Sequence, residues 1–180
     1  MKIIAFTGMP CSGKSEAVQI AKDKGFLILR MGDMVWEETK NQGLELNDKN
    51  VGKVANDMRE KYGMDIWAQR TVKKIKAIGK KDQIVIDGIR NIEEINFFKK
   101  ELSNDFVIIA IDASDELRKK RALSRGRKDD SSNIKDFEER NKRELRWGLG
   151  KVITSADIVI SNEGGIAEFK DKIRKVLDEI

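Results

Sequence analysis

The sequence predicts a three-layer α/β/α fold built around a mostly parallel, five-stranded sheet. Two observations carry this expectation. Five short, β-branched-rich apolar runs show little polar alternation, as strands covered on both faces do. The stretches between them carry apolar residues at helical spacing, so strand and helix alternate along the chain. A third observation sets the scale: 180 residues with 39% apolar content suffice for one core, and a single domain over 1–180 is expected.

The runs are Lys2–Thr7, Phe26–Leu29, Gln83–Asp87, Phe106–Asp112 and Asp157–Ile160. Ala68, Val72, Ile75 and Ile78 form one helical stripe, and Ile166, Phe169, Ile173, Val176 and Ile180 form another. Two segments break the alternation. Asn41–Tyr62 is polar and poor in strand signals, and Arg118–Trp147 is dense in arginine. Both are expected as inserts over one face of the sheet, the first spanning about 33–64 and the second about 118–147.

Composition narrows the chemistry. No apolar run approaches the roughly 20 residues that span a bilayer, and the start of the chain has no signal-peptide pattern, so a membrane partner is not expected. Cys11 is the only cysteine, which excludes an intrachain disulfide and fits a reducing cytoplasm. The 36 basic and 31 acidic residues are interspersed. That pattern describes a solvated surface and argues against a nucleic-acid partner. No feature of the patterning specifies an oligomeric state. The chain has no histidine, so acid–base and metal chemistry must rest on carboxylates, Lys/Arg charge, hydroxyls and backbone N–H groups.

The strongest motif is Gly8-Met9-Pro10-Cys11-Ser12-Gly13-Lys14-Ser15. It matches G-x-x-x-x-G-K-[ST], follows the first apolar run and opens a helix carrying Ala17, Val18, Ile20 and Ala21. This is the arrangement of a phosphate-binding P-loop. Backbone N–H groups line an anion nest, and the helix N-terminus adds partial positive charge. Lys14 is expected on the β- and γ-phosphates of ATP, and the Ser15 hydroxyl on Mg²⁺, with Asp87 completing the metal side. Cys11 stands where such loops often carry glycine; a positive φ there would cost about 1 kcal/mol.

Beyond the loop, the chain resembles the adenylate-kinase and nucleoside-monophosphate-kinase branch of P-loop proteins. More closely it resembles the archaeal adenylate-kinase-related P-loop family, over nearly its whole length. Met31-Gly32-Asp33-Met34 is similar to the Gly-Asp turn that begins the monophosphate-binding helix of adenylate kinases. Asp87-Gly88-Ile89-Arg90 stands where those enzymes carry Asp-Gly-Phe-Pro-Arg, and the resemblance makes Arg90 a ligand of the acceptor phosphate. Arg121 and Arg125, then Arg127-Lys128-Asp129-Asp130 and Arg140, resemble the family's lid arginines. The resemblance implies that Arg121 binds nucleotide and that Arg125, Arg127 and Arg140 clamp the transferring phosphates.

The chain also departs from that pattern. Trp36 replaces the arginine expected three residues after the Gly-Asp turn, the proline of the Asp-Gly-Phe-Pro-Arg segment is absent, and Arg59 is the candidate replacement phosphate ligand. Ser155–Gly164 resembles instead a segment of dephospho-coenzyme A kinases that lies near the ATP adenine, which implies a base contact for Asn162.

The expectation that follows is an ATP- and Mg²⁺-dependent phosphotransferase acting on a small nucleotide-like acceptor such as AMP. A hydroxyl-directed kinase of the dephospho-coenzyme A type and a nucleotide-binding regulatory protein with slow ATPase remain open. Asp33 discriminates between the kinases: a phosphate acceptor needs no base, whereas a hydroxyl acceptor would use Asp33 as one.

Overall fold

A computed structural model describes residues 2–79, 83–102, 106–125 and 134–180, with the side chain of residue 125 outside the description. Five strands, β1 (Lys2–Thr7), β2 (Leu27–Arg30), β3 (Gln83–Asp87), β4 (Phe106–Asp112) and β5 (Ile158–Ser161), form one sheet in the order β2-β3-β1-β4-β5. Every pairing is parallel. The expected five-stranded α/β/α fold is present.

Alternation within the strands divides the core. Ile3, Ala5, Ile84, Ile86 and Ile108 face one layer of helices; Ile4, Phe6, Val85, Ile109 and Ile111 face the other. The second layer comprises α1 (Lys14–Asp23) and α9 (Ile166–Glu179), whose Val18, Phe169 and Ile173 are buried. The first layer holds α2 (Met31–Asn41), α3 (Asp48–Tyr62), α4 (Ile66–Ile78), α5 (Ile92–Leu102) and α8 (Leu149–Thr154). The arginine-dense segment supplies α6 (Asp115–Arg125) and α7 (Ile134–Trp147). No helix among the described residues is long and apolar enough to cross a membrane.

Two strands run one residue further than their apolar runs. β2 ends with Arg30 paired to Asp87, and β5 with Ser161 paired to Asp112. Polar residues therefore close both strands at their carboxyl ends, where open α/β sheets hold ligands. At the other end of β5, Asp157 is not a ladder residue; its Oδ2 accepts the Ile108 N–H at 2.8 Å.

The polar segment 41–62 is mostly helix. Asn47 caps α3 by accepting the Asn50 N–H at 2.9 Å, and Val54, Ala55 and Met58 bury one face. With Val51 packed against the same cluster, these residues follow helical spacing within a polar background.

Candidate functional site

The loop between β1 and α1 is wrapped tightly. Gly8, Cys11 and Gly13 have φ of 149°, 64° and 106°, and Ser12 N–H returns to the Met9 carbonyl at 3.1 Å. Cys11 thus occupies the left-handed region, at a cost of about 1 kcal/mol or more. A Cβ at Gly8 would stand 2.7 Å from Ser12 Oγ, and one at Gly13 would collide with the Asn162 amide. Glycine is required at both ends of the cradle.

The loop's outward carbonyls are held from behind. Asn162 Nδ2 donates to the Ser12 carbonyl at 2.8 Å, and Arg121 donates to the same oxygen at 3.3 Å and to the Asn162 carbonyl at 3.0 Å. Arg118 donates to the Pro10 carbonyl at 3.2 Å and to Asn141 Oδ1 of α7 at 2.8 Å. The start of α1 has no side-chain cap, and its positive end opens onto the loop, where an anion would be favoured. Ser12 Oγ, buried and without a hydrogen-bond partner among the described residues, completes an under-satisfied donor set.

This cradle forms one wall of a cleft of about 620 Å³. Gly8, Met9, Pro10, Cys11, Ser12, Gly13, Lys14 and Ser15 line it, with Arg30, Arg90, Arg121, Arg140 and Glu144 among the residues around them. The cations come from separate elements: α1, the end of β2, the turn after β3, α6 and α7. Lys14 forms an ion pair with Asp87, whose second oxygen lies 3.9 Å from Arg30 Nε. Burial pulls the Lys14 ammonium below its ordinary pKa, Asp87 opposes that, and Arg90 adds to it. Arg90 Nε stands 3.0 Å from Glu144 Oε2, and Arg140 Nε stands 3.4 Å from Oε1 of the same carboxylate. Burial works against the Glu144 charge, but Arg90, Arg140 and Lys14 together hold its carboxyl below the usual range.

The other sequence-predicted residues divide. Asp87 stands beside the loop, at Lys14. Asp33 lies exposed on the first turn of α2 and is not among the described residues lining the cleft. Arg127 lies outside the described residues, as does the side chain of Arg125. Asn162 is buried beside the loop, lines the cleft, and its Nδ2 donates to the Ser12 carbonyl at 2.8 Å.

Arg59 is a correction. Its side chain is 4% exposed, pairs with the wholly buried Glu94 at 3.0 Å and lies 4.4 Å from the Trp147 ring centroid. The apolar stripe of α3 turns it into the core, where it cannot grip a ligand.

Arg30, Arg118 and Glu144 were missed. Arg30 sits two residues before Gly32, at the strand end, and that position is the signal that could have found it. Arg118 and Glu144 were hidden in the charge density of the segment that holds them.

A parallel sheet with this loop at the carboxyl end of its central strand defines a P-loop nucleotide-binding protein of kinase-like fold. The AAA domain model AAA_17 matches residues 7–138. A UPF0200/UPF0201 protein of Archaeoglobus fulgidus is 46% identical over 98% of this chain, and the chain spans 55% of that relative's length. A UPF0200 protein of Methanosarcina barkeri is 44% identical over 98% of the chain and 95% of the relative. The chain belongs to the archaeal UPF0200 family of P-loop proteins, as the expected kinship to an archaeal P-loop family required.

Solved structures agree on the fold. TT1252 from Thermus thermophilus superposes with a TM-score of 0.68 at 17% identity, covering 99% of this chain and 97% of that one. Shikimate kinase from Acinetobacter baumannii, in complex with shikimate, gives 0.60 at 15% identity over 99% and 92%.

Proposed function

We propose that the protein is an ATP-dependent phosphotransferase acting on a small, nucleotide-like acceptor. One observation carries the reading: Arg30, Arg90 and Arg140, from β2, the turn after β3 and α7, line a cleft whose other wall is an anion cradle carrying Lys14. A protein that only bound nucleotide would need the cradle. Cations facing it across the cleft suit a second anion and the charge that develops between the two.

The residues fit ATP and Mg²⁺. The orphaned Ser12 hydroxyl, the uncapped start of α1 and Lys14 suit a triphosphate. Ser15 and Asp87 offer a hydroxyl and a carboxylate, the oxygen donors that Mg²⁺ takes alongside phosphates and water. When bound, Mg²⁺ supplies charge neutralisation at the phosphates. Lys14 exchanges its Asp87 partner for the β- and γ-phosphate oxygens, leaving the Asp87 carboxylate for the metal side. Arg90 and Arg140 orient the acceptor's phosphate and neutralise charge on the transferring group. Segments 33–64 and 118–147 act as the acceptor-binding insert and the lid. By the resemblance, Arg125 and Arg127 join Arg140 in that lid, where closure excludes water.

AMP is the first acceptor to test. A second reading, a kinase for a hydroxyl group, is favoured by the fold shared with a shikimate kinase bound to shikimate. In that case Asp33 would have to swing into the cleft as the base. The test is transfer of the γ-phosphoryl group from ATP to a panel holding AMP, other mononucleotides and dephospho-coenzyme A. Slow phosphate release that no acceptor alters would exclude both kinase readings.

A further inference from the structure

Glu144 is a buried carboxylate in a cleft that is otherwise built for anions, and phosphoryl transfer gives it no task. Its side chain is 5% exposed, yet it stands between Arg90 at 3.0 Å and Arg140 at 3.4 Å, the two arginines assigned to the acceptor's phosphate.

The protein holds another buried glutamate for comparison. Glu94 accepts the Arg90 backbone N–H at 2.7 Å on one oxygen and Arg59 Nη2 at 3.0 Å on the other. Both of its oxygens accept a hydrogen bond, although Arg59 Nε and Nη1 have none among the described residues. Glu144 is held differently. Its Oε2 is close to Arg90 but has no hydrogen bond of good geometry among the described residues. Arg140 Nε donates to Oε1 at 3.4 Å, a long hydrogen bond, whereas Oε2 is held beside Arg90 by charge without an aligned donor. When Arg90 turns to a better-matched anion, that oxygen gives up a charge contact but no aligned hydrogen bond.

We propose that Glu144 is the resident counter-ion of the acceptor site, a specificity-determining carboxylate that occupies Arg90 and Arg140 until the acceptor's phosphate displaces it. This inference rests on the assignment of those arginines to the acceptor. Without Glu144, the two guanidinium groups would attract any passing anion. With it, a ligand must out-compete a carboxylate already in place, which a phosphate dianion can do and a neutral or weakly charged molecule cannot. Glu144 and Arg140 are one turn apart on α7, so release of the carboxylate also changes the charge around Arg140, whose Nε lies 4.0 Å from Asp48 Oδ1.

The test is calorimetric titration of inorganic phosphate into protein whose P-loop is saturated with a non-hydrolysable ATP analogue and Mg²⁺. Glu144→Gln keeps the shape and removes the charge, and should bind phosphate about tenfold more tightly than wild type. Adding Arg90→Ala to it should abolish that gain. Glu144→Asp draws the charge back by one methylene and should tighten binding by a smaller factor, which serves should Glu144→Gln fail to fold. Equal or weaker affinity in the variants overturns the proposal, because Glu144 would then align the arginines rather than compete for them. A gain that survives loss of Arg90 overturns it as well. No arm depends on turnover, so failure of the phosphotransferase reading appears separately, in the acceptor panel. Wild-type phosphate affinity untouched by Arg90→Ala alone would remove the acceptor-site assignment itself.

Discussion

Removing Arg59 should unfold this protein more readily without weakening its hold on a mononucleotide. The guanidinium is 4% exposed and its partner Glu94 is fully buried, so Arg59→Ala leaves a carboxylate in the core with the Arg90 N–H and the more distant Arg90 charge but no paired counter-ion. Breaking one side of such a pair costs about 3–5 kcal/mol. Loss of the contact with Trp147, 4.4 Å away, adds to this. Burial already raises the Glu94 pKa above its ordinary 4.5, and Arg59 opposes that rise, so the variant's carboxyl can take up a proton. That escape puts the loss near the low end, about 3 kcal/mol. At roughly 2–4 °C per kcal/mol for a chain of this size, the melting temperature should fall by about 6–12 °C.

The pH dependence has a definite sign. A carboxyl whose folded pKa is raised contributes stability below its unfolded value, and that contribution is lost as pH rises through the folded one. The deficit of Arg59→Ala should therefore shrink as the pH is lowered toward 4.5. Thermal unfolding of Arg59→Ala, Glu94→Gln and the double variant measures the coupling, which should be large because the residues touch. A variant that melts within about 0.5 kcal/mol of wild type, the range of an ordinary surface substitution, would refute the buried-pair account. Weakened mononucleotide binding would restore Arg59 as a ligand.

Lys14→Ala should weaken ATP·Mg²⁺ binding about tenfold or more by calorimetry, since a charged contact contributes about 1.5–3 kcal/mol. Because burial lowers the Lys14 pKa from 10.5, wild-type affinity should begin to fall below that pH, whereas Lys14→Arg should show no such early loss. Arg140→Ala, and Arg127→Ala by the family resemblance, should reduce turnover far more than ATP affinity; equal losses in steady-state kinetics and calorimetry would remove them from the clamp. Gly13→Ala forces a Cβ onto a residue with φ of 106° and into the Asn162 amide. It should destabilise the fold by about 1–3 kcal/mol and abolish ATP binding, as denaturant unfolding and calorimetry would show.

The sheet was legible because a strand buried on both faces must be apolar throughout, and Ile3-Ile4-Ala5-Phe6 and Ile84-Val85-Ile86 are. The loop was legible because its geometry demands particular residues: Gly8 and Gly13 at positive φ, then Lys14 at the helix start. What stayed hidden depends on direction. The sequence places Arg59 and Arg90 within plausible reach of a phosphate, but only packing tells that α3 turns the first into the core. Helix α3 itself was masked by its polar face, although Val54, Ala55 and Met58 carried the period. Arg118 shows the same limit: its long side chain reaches a loop more than a hundred residues away in sequence, and no local pattern records that contact.

The central claim, that this cleft moves phosphate between two bound partners, is tested most directly by following ³¹P resonances during incubation of the protein with ATP, Mg²⁺ and each acceptor of the panel. The account predicts a new phosphorylated product with one acceptor, AMP first among them. That product should be absent with Lys14→Ala and strongly reduced with Arg90→Ala, while Arg90→Ala still binds ATP. Inorganic phosphate as the sole product, at a rate that neither the acceptors nor Arg90→Ala change, would contradict it.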